Sequence, residues 1–366
     1  MANLTEADVL RALSTVKDPD LGRDLVTLGM IENLAVQGDV VSFTVVLTTP
    51  ACPLKGKIES DCRRAVLAVP GVREAQIKMD ARVVAGRGGK GKQGLPTVKN
   101  VIAVGSGKGG VGKTTVAVNL AIALAESGAK VGILDADITG PNVPIMIGAR
   151  GEPHASGNRI DPLVSYGVKV ISIAFFVPDG TPVIWRGPMV GGAIQQFLND
   201  VEWGELDYLI VDLPPGTGDA SISLAQLVPL SGVVIVSTPQ DVALLDATKS
   251  LAMFQKLETP ILGLVENMSY FICPNCNERH EIFGHGGAEH AAQRLDLPFL
   301  GRIPITISIR QGGDQGVPVL RADPESPEAE AFRVVASAVA QRVSVLSLGP
   351  SGKRPTWVPL PMAGGH

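Results

Sequence analysis

Residues 105–115 read Gly105-Ser-Gly-Lys-Gly-Gly-Val-Gly-Lys-Thr-Thr115, and this stretch decides the fold. It follows a short apolar run at residues 100–105, which has the character of a buried strand. It precedes an Ala- and Leu-rich segment, residues 115–125, whose apolar side chains recur at helical spacing. Strand, glycine-rich loop and helix form the context in which G-x-x-x-x-G-K-T binds phosphate. The sequence therefore predicts a phosphate-binding loop that opens a helix.

The residue types in this loop suit the phosphates of ATP. Glycines let successive N–H groups point at phosphate oxygens, because no Cβ stands in the way; they are Gly107, Gly109, Gly110 and Gly112. Lys113 is expected to reach the β- and γ-phosphates, and the Thr114 hydroxyl to complete a Mg²⁺ shell. Val111 and Thr115 complete the predicted nucleotide contacts. Lys108 is a second lysine in the loop, and spacing alone allows either an exposed side chain or a nucleotide contact.

Length, charge and cysteine content narrow the class of protein. At roughly 150 residues per domain, 366 residues predict two or three domains. No apolar run approaches the ~18 residues of a membrane span, and the acidic N-terminus lacks a signal-peptide pattern, so we expect a cytoplasmic protein without a membrane partner. A net charge of -4 argues against a nucleic-acid partner. Four cysteines are too few for a disulfide framework in a chain of this length.

Composition divides the chain into four predicted segments. Residues 1–85 form a small α+β domain, and residues 86–98 a linker rich in glycine and lysine. Residues 99–345 form the ATPase domain, and residues 346–366 a flexible tail rich in proline and glycine.

Two cysteines lie in the first segment. Thr5 and Asp8 form a capping box before one helix, a hairpin follows, and Cys62 lies on the apolar face of a second helix, where a buried thiol is expected. Cys52 stands between a strand and a helix N-terminus, a position that favours the thiolate. It is therefore either a ligand or cluster-handling residue or an inert loop cysteine.

The chain after residue 115 alternates apolar strand-like runs with helical stretches. The runs cover residues 130–134, 168–173, 208–211, 233–236 and 261–265. Such alternation predicts an α/β fold with a mainly parallel, doubly wound sheet, and its ligands bind beyond the carboxyl ends of the strands. Asp135, Asp137 and Asp212 follow two of these runs. Asp212 is the stronger candidate for Mg²⁺ binding, at the start of a glycine-containing loop.

Cys273 and Cys276 form a second motif, because two residues separate them and both can face one centre. A [4Fe-4S] cluster needs four thiolates, so this pair can hold one only together with its copy in a second subunit. Alternatively, His280 and His285 complete a zinc site within one chain. A redox dithiol is the third possibility. Spacing alone places zinc first.

The motifs together resemble a known family, the ATPases with a deviant phosphate loop that include the Min and Par positioning proteins and the nitrogenase iron protein. Within that class the chain is similar, over nearly its whole length, to the Mrp/ApbC iron-sulfur cluster carriers. The segments that carry the resemblance are residues 108–114, 135–142, 185–189, 212–219, 266–269 and 271–285. Residues 18–22, 28–30 and 49–53 resemble a small domain associated with iron-sulfur assembly.

The resemblance implies a slow ATPase that forms a homodimer. It implies that Lys108 crosses to the partner subunit's nucleotide while Lys113 stays with its own, that Asp137 orients the attacking water, and that Asn267 lies near the adenine. It also favours a [4Fe-4S] cluster that Cys273 and Cys276 share with the same residues of a second subunit. The carrier would receive this cluster from scaffold proteins and deliver it to apoprotein clients. Two alternatives remain: a MinD/ParA-like positioning ATPase with a structural zinc, and an ATP-dependent electron-transfer protein.

Overall fold

The computed structural model describes residues 4–86, 95–157, 159–177 and 187–349. These residues form two compact units, one of residues 4–84 with 340–349 and the other of the described residues between 85 and 339. Three parts of the sequence predictions lie outside the described residues: the pair Trp185 and Arg186, residues 87–94 of the linker, and the tail from residue 350 onward.

The first unit packs two helices and a three-stranded sheet. Its elements are α1 (Glu6–Leu13), β1 (Ile31–Gln37), β2 (Val40–Leu47), α2 (Lys55–Leu67) and β3 (Glu74–Ala81). The strand order is β1-β2-β3, antiparallel for the first pair and parallel for the second. The predicted hairpin and capping box are present, whereas the sequence analysis did not identify β3. Val9, Leu13, Phe43, Ile58 and Cys62 belong to one buried core.

An eight-stranded sheet forms the centre of the second unit. The remaining strands are β4 (Val98–Ser106), β5 (Val131–Asp135), β6 (His154–Ser156), β7 (Arg159–Asp161), β8 (Leu163–Ser165), β9 (Val168–Ser172), β10 (Leu206–Asp212), β11 (Gly232–Ser237), β12 (Ile261–Glu266), β13 (Phe271–Ile272), β14 (Arg279–His280) and β15 (Phe299–Arg302). The large sheet has the order β15-β12-β11-β4-β10-β5-β9-β8, and only β8 runs antiparallel to its neighbour. The predicted mainly parallel α/β sheet, preceded by a small α+β part, is confirmed.

Helices connect these strands in both directions from β4. They are α3 (Lys113–Glu126), α4 (Val143–Ile147), α5 (Gly187–Asn199), α6 (Asp219–Leu227), α7 (Asp241–Lys256), α8 (Gly287–Arg294), α9 (Ile307–Gln315), α10 (Val319–Ala322) and α11 (Pro327–Leu348). The chain moves one way along the sheet through α3 and the other way through α6. Because parallel crossovers are right-handed, these two helices cover opposite faces.

Helix α11 is the one helix in the described ranges that is long and apolar enough to cross a membrane, by length and composition only. A core helix of a soluble protein meets the same criterion. Phe332, Val335, Val339 and Val343 of this helix are buried within the protein. The helix also continues to Leu348, three residues into the segment that composition assigns to a tail.

Candidate nucleotide site and cysteine loop

The loop between β4 and α3 runs so close to its neighbours that two of its positions accept only glycine. A Cβ on Gly107 would lie 2.1 Å from the carbonyl carbon of Asp246 in α7. A Cβ on Gly112 would lie 2.2 Å from Nδ2 of Asn267, and Gly112 also has a φ of 79° in the left-handed region. The loop backbone is therefore held between α7 and Asn267, and it leads directly into the N-terminus of α3.

Four of the predicted site residues meet at the start of α3. The Lys113 side chain is buried, and its Nζ lies 2.7 Å from Oδ1 of Asp212 and 3.8 Å from Oδ2 of Asp137. The Thr114 hydroxyl donates to Oδ2 of Asp212 at 2.7 Å. Strand β10 lies beside β4 in the sheet, so the carboxylate at its end reaches the first turn of the helix that follows β4.

Asp135 and Asp137 differ in what their carboxylates contact. Both Asp135 oxygens are used within the fold: one accepts from the Asp137 N–H, and the other from the Val143 N–H and the Ser172 hydroxyl. Burial, followed by the charge of Asp212, raises the pKa of Asp135 to about 8. Burial also raises the pKa of Asp212, against the opposing charge of Lys113. Asp135 thus caps its strand, while the Asp137 carboxylate faces Lys113.

The donor set at this site fits a nucleotide with Mg²⁺. A buried ammonium beside two carboxylates can exchange those partners for phosphate oxygens, and the α3 N-terminus adds a favourable dipole. The Thr114 hydroxyl and the Asp212 carboxylate are hard oxygen ligands of the kind that Mg²⁺ prefers. Bound Mg²⁺ would neutralise charge on the β- and γ-phosphates.

Asn267 and Lys108 have different environments. Asn267 is buried directly after β12, and its Nδ2 donates to the Val111 carbonyl at 2.8 Å, so it supports the loop backbone. Lys108 is half-buried, and its ammonium forms no ion pair with any residue in the described ranges. The structure therefore brings Lys113, Thr114, Asp137 and Asp212 together and leaves Lys108 outside that cluster.

Sequence reasoning missed three contributors to the site. Ser172, which hydrogen-bonds Asp135, is a polar residue at the end of the apolar strand β9. Asp246 supplies the backbone against which Gly107 packs. Glu266, a buried carboxylate at the end of β12, precedes Asn267 directly. In the sequence, Ser172 and Glu266 are each a polar residue that ends an apolar run, and Glu266 also belongs to the segment 266–269 that carries the family resemblance.

The segment of residues 271–286, called the cysteine loop below, begins with a small hairpin of β13 and β14. Its turn carries Cys273, half-buried, and Cys276, exposed. The Cys273 N–H donates to the Glu278 carbonyl at 2.9 Å, and the Asn277 N–H donates to the Cys273 carbonyl at 2.8 Å. The N–H groups of Asn275 and Cys276, with a smaller effect from the Cys276 thiol, lower the pKa of Cys273. The thiolate that a metal centre requires is therefore favoured there.

The two histidines of the cysteine loop lie beside glutamate side chains. His285 Nδ1 lies 2.6 Å from Oε1 of Glu281, and His280 Nε2 lies 3.7 Å from Oε2 of Glu278. Across the described ranges, no three His, Cys, Asp or Glu side chains form a group that could hold a metal ion. The four-residue zinc site considered from spacing is therefore not assembled in this chain.

The other two cysteines lie in the first unit, and burial raises the pKa of both. Cys62 is fully buried in the core of the first unit, as expected, and burial raises its pKa to about 12. The expectation that Cys52 has a favoured thiolate is wrong. Burial raises the pKa of Cys52, the carboxylates of Asp20 and Asp18 raise it further, and these effects exceed the N–H of Leu54 at the helix start.

The rate at which each thiol is labelled in the native protein should follow its exposure and its pKa. Iodoacetamide at about pH 8 reacts with thiolates, so we expect Cys273 and the exposed Cys276 to be labelled first, Cys52 slowly and Cys62 not at all. Peptide mass spectrometry over a time course measures each rate, and unfolded protein serves as the control in which all four react. Labelling of native Cys62 at a rate within tenfold of Cys273 would contradict the assigned burial.

Two protein-family models match the chain, one over each part of the sequence. The family model described as NUBPL iron-transfer P-loop NTPase matches residues 97–340. The chain belongs to this family. A second family model, described as iron-sulfur cluster assembly protein, matches residues 6–79. The resemblance to iron-sulfur cluster carriers inferred from the motifs is confirmed.

Individual relatives are similar in sequence to this chain over most of its length. The iron-sulfur cluster carrier protein of Synechocystis sp. is 50% identical over 351 residues, covering 94% of this chain and 99% of its own. The mouse iron-sulfur cluster transfer protein NUBPL is 47% identical over 294 residues, covering 80% of this chain and 91% of its own. Among solved structures, a nucleotide-binding protein from Archaeoglobus fulgidus in complex with ADP is 41% identical with a TM-score of 0.57, covering 65% of this chain and 93% of that one.

Proposed function

We propose that this P-loop NTPase is an ATP-dependent iron-sulfur cluster carrier. The observation that carries the proposal is the hairpin turn in the cysteine loop, which presents two cysteine thiols at the surface, one with a lowered pKa. Two thiolates are half the number that a [4Fe-4S] cluster needs. A homodimer in which each subunit supplies Cys273 and Cys276 completes the set.

The nucleotide site supports ATP binding and slow hydrolysis. With nucleotide bound, Lys113 would neutralise phosphate oxygens, and Thr114 and Asp212 would hold Mg²⁺. Asp137, whose carboxylate stands 3.8 Å from the Lys113 ammonium, orients the attacking water. Asn267 holds the loop through the Val111 carbonyl. From the family resemblance, we also assign it a position near the adenine. Lys108 makes no ion pair within the described residues of its own chain, which leaves its ammonium free to reach the nucleotide of the partner subunit.

We propose that the first unit of the fold contacts partner proteins during cluster transfer. Its family model is described as an iron-sulfur cluster assembly protein, and we assign residues 1–85 to that domain, residues 86–98 to a linker and residues 99–345 to the ATPase domain. The tail predicted for residues 346–366 begins later than expected, because α11 runs to Leu348. The carrier receives the cluster from a scaffold protein and delivers it to apoprotein clients in the cytoplasm, without nucleic acid or a membrane.

Anaerobic reconstitution tests the cluster site. The parent protein should take up about four iron and four sulfide per dimer, because one cluster uses two thiolates from each subunit. Cys273→Ala should lose this cluster, while its affinity for ATP stays within about twofold of the parent, since the nucleotide residues are untouched. Iron and sulfide assays, absorption spectra and ATP titration measure these quantities.

Cys52→Ala is the matched control for that experiment. It also removes a cysteine thiol, but from the first unit, and should retain the full cluster content. Stoichiometric zinc without a reconstitutable cluster in the parent protein would contradict the proposal. So would a cluster that survives in Cys273→Ala.

A further inference from the structure

Two adjacent residues at the end of β12 contact the two functional loops. Asn267 holds the phosphate loop: its Nδ2 donates to the Val111 carbonyl at 2.8 Å, and its N–H donates to the Ser237 carbonyl at 2.8 Å. Glu266, the preceding residue, is fully buried and contacts the base of the cysteine loop. One peptide bond therefore separates a contact to the nucleotide loop from a contact to the cysteine loop.

The Glu266 carboxylate joins both ends of the cysteine loop. Its Oε1 accepts from the Ser269 hydroxyl at 2.6 Å, just before the loop begins. Its Oε2 accepts from the Ala288 N–H at 2.8 Å, just after the loop returns into α8. Because one buried side chain accepts hydrogen bonds from both ends of the loop, it fixes the distance between those ends.

The surroundings of Glu266 hold it in place. Nε of Arg302 lies 3.8 Å from Oε1, and the same guanidinium pairs with Glu289 of α8. The Ile303 N–H donates to the Glu266 carbonyl at 2.9 Å, and the Ser269 N–H donates to the Ile303 carbonyl at 3.0 Å. The base of the cysteine loop is thus a hydrogen-bonded frame in which Glu266 is the central member.

We propose that Glu266 is a positioning residue that transmits the state of the phosphate loop to the cysteine loop. The connection is contiguous: Val111 carbonyl, Asn267 side chain, the peptide between residues 266 and 267, and the Glu266 carboxylate with its two partners. Loading of the phosphate loop holds Asn267 more tightly, and the adjoining Glu266 carboxylate and its two partners are held more tightly with it. The proposal depends on the proposed function only for the cargo that the cysteine loop carries.

Hydrogen exchange of the full chain, free of cluster, tests this coupling. Mg-ADP is the probe, because it loads the phosphate loop but lacks the γ-phosphate that a partner subunit's lysine would contact. In the parent protein, Mg-ADP should slow exchange in the peptides covering residues 100–120 and 269–288. The expected effect on the second region is about fivefold, at the low end of measured coupling between sites.

The variants separate coupling from folding. Glu266→Ala and Ser269→Ala should keep the response in residues 100–120 and lose it in residues 269–288; Ser269→Ala decides the question if Glu266→Ala does not fold. Glu266→Gln should restore the response, because its oxygen accepts from Ala288 and its amide donates to Ser269. Glu278→Ala is the matched control: it removes an exposed carboxylate from the cysteine loop, away from the base of that loop, and should respond as the parent does.

Two results would overturn the proposal. One is a parent protein in which Mg-ADP slows hydrogen exchange in residues 100–120 but leaves the exchange rates of residues 269–288 unchanged. The other is a Ser269→Ala variant in which both regions respond as in the parent. Because no cluster is present in any sample, a failure of the carrier function itself leaves these readings unaffected.

Discussion

Lys113→Met should abolish ATP hydrolysis and also weaken the fold. The Lys113 ammonium neutralises the buried carboxylate of Asp212 at 2.7 Å, and both side chains are nearly inaccessible to solvent. Breaking a buried ion pair by removing one partner costs about 3 kcal/mol of folding free energy, because the other charge stays buried alone. Loss of a charge stabiliser at the phosphates lowers the hydrolysis rate by about 10³-fold. Urea denaturation and a phosphate-release assay measure the two effects.

A double variant distinguishes these two effects. Lys113→Met combined with Asp212→Asn removes both charges, so most of the lost stability should return, while hydrolysis stays absent. Recovery of hydrolysis in the double variant, or a single variant that hydrolyses ATP within tenfold of the parent rate, would show that Lys113 does not bind phosphate.

The sheet was predictable from the sequence because its strands are buried on both faces. Strands such as β11, with every residue buried, read as continuous apolar runs, and the runs end in polar residues where the strand leaves the sheet. Strand β3 was overlooked although its Ala75, Ile77 and Met79 alternate with charged and polar residues, which is the period of a half-buried strand. Strand β15 has four residues, one of them Gly301, which gives too short a pattern to recognise.

The site was predictable only where a local motif defines it. Lys113 and Thr114 come from the loop motif, and Asp212 comes from an apolar run that ends in aspartate. The partners of Asp135 and Asn267 depend on which strands are neighbours in the sheet, and the spacing of residues along the chain does not give the strand order. In the structure, β9 lies beside β5, and β12 lies two strands from β4. The contacts of Ser172 and Glu266 could therefore be identified only from the three-dimensional structure.

Cys52 shows how a local rule fails. A helix N-terminus favours a thiolate, and the sequence places Cys52 just before α2. In the folded unit, however, the thiol is half-buried and faces the charges of Asp18 and Asp20, more than thirty positions earlier in the chain. Burial and two remote carboxylates outweigh the helix end, and neither is visible in the spacing around Cys52.

Lys108→Ala should leave Mg-ADP binding within about twofold of the parent and lower ATP hydrolysis by about 10³-fold, the range of a charge supplied in trans. The reason is that Lys108 takes no part in the cluster of Lys113, Thr114, Asp137 and Asp212, so the site within one chain stays intact. A charge that arrives from the partner subunit acts only in the dimer. The parent rate per subunit should therefore rise with protein concentration, and that of the variant should not.

Mixing two inactive variants decides whether Lys108 acts across the dimer. In a heterodimer of Lys108→Ala with Lys113→Met, the Lys108→Ala subunit keeps its own Lys113 and receives the partner subunit's Lys108, so one complete site is formed. Random pairing at equal concentrations makes half of the dimers mixed, each with one active site of two, so about a quarter of the parent rate should return. If Lys108 acted on the nucleotide of its own chain, no combination of these two variants could assemble a complete site, and the mixture would stay inactive. Restored hydrolysis would show that Lys108 completes the nucleotide site of the partner subunit.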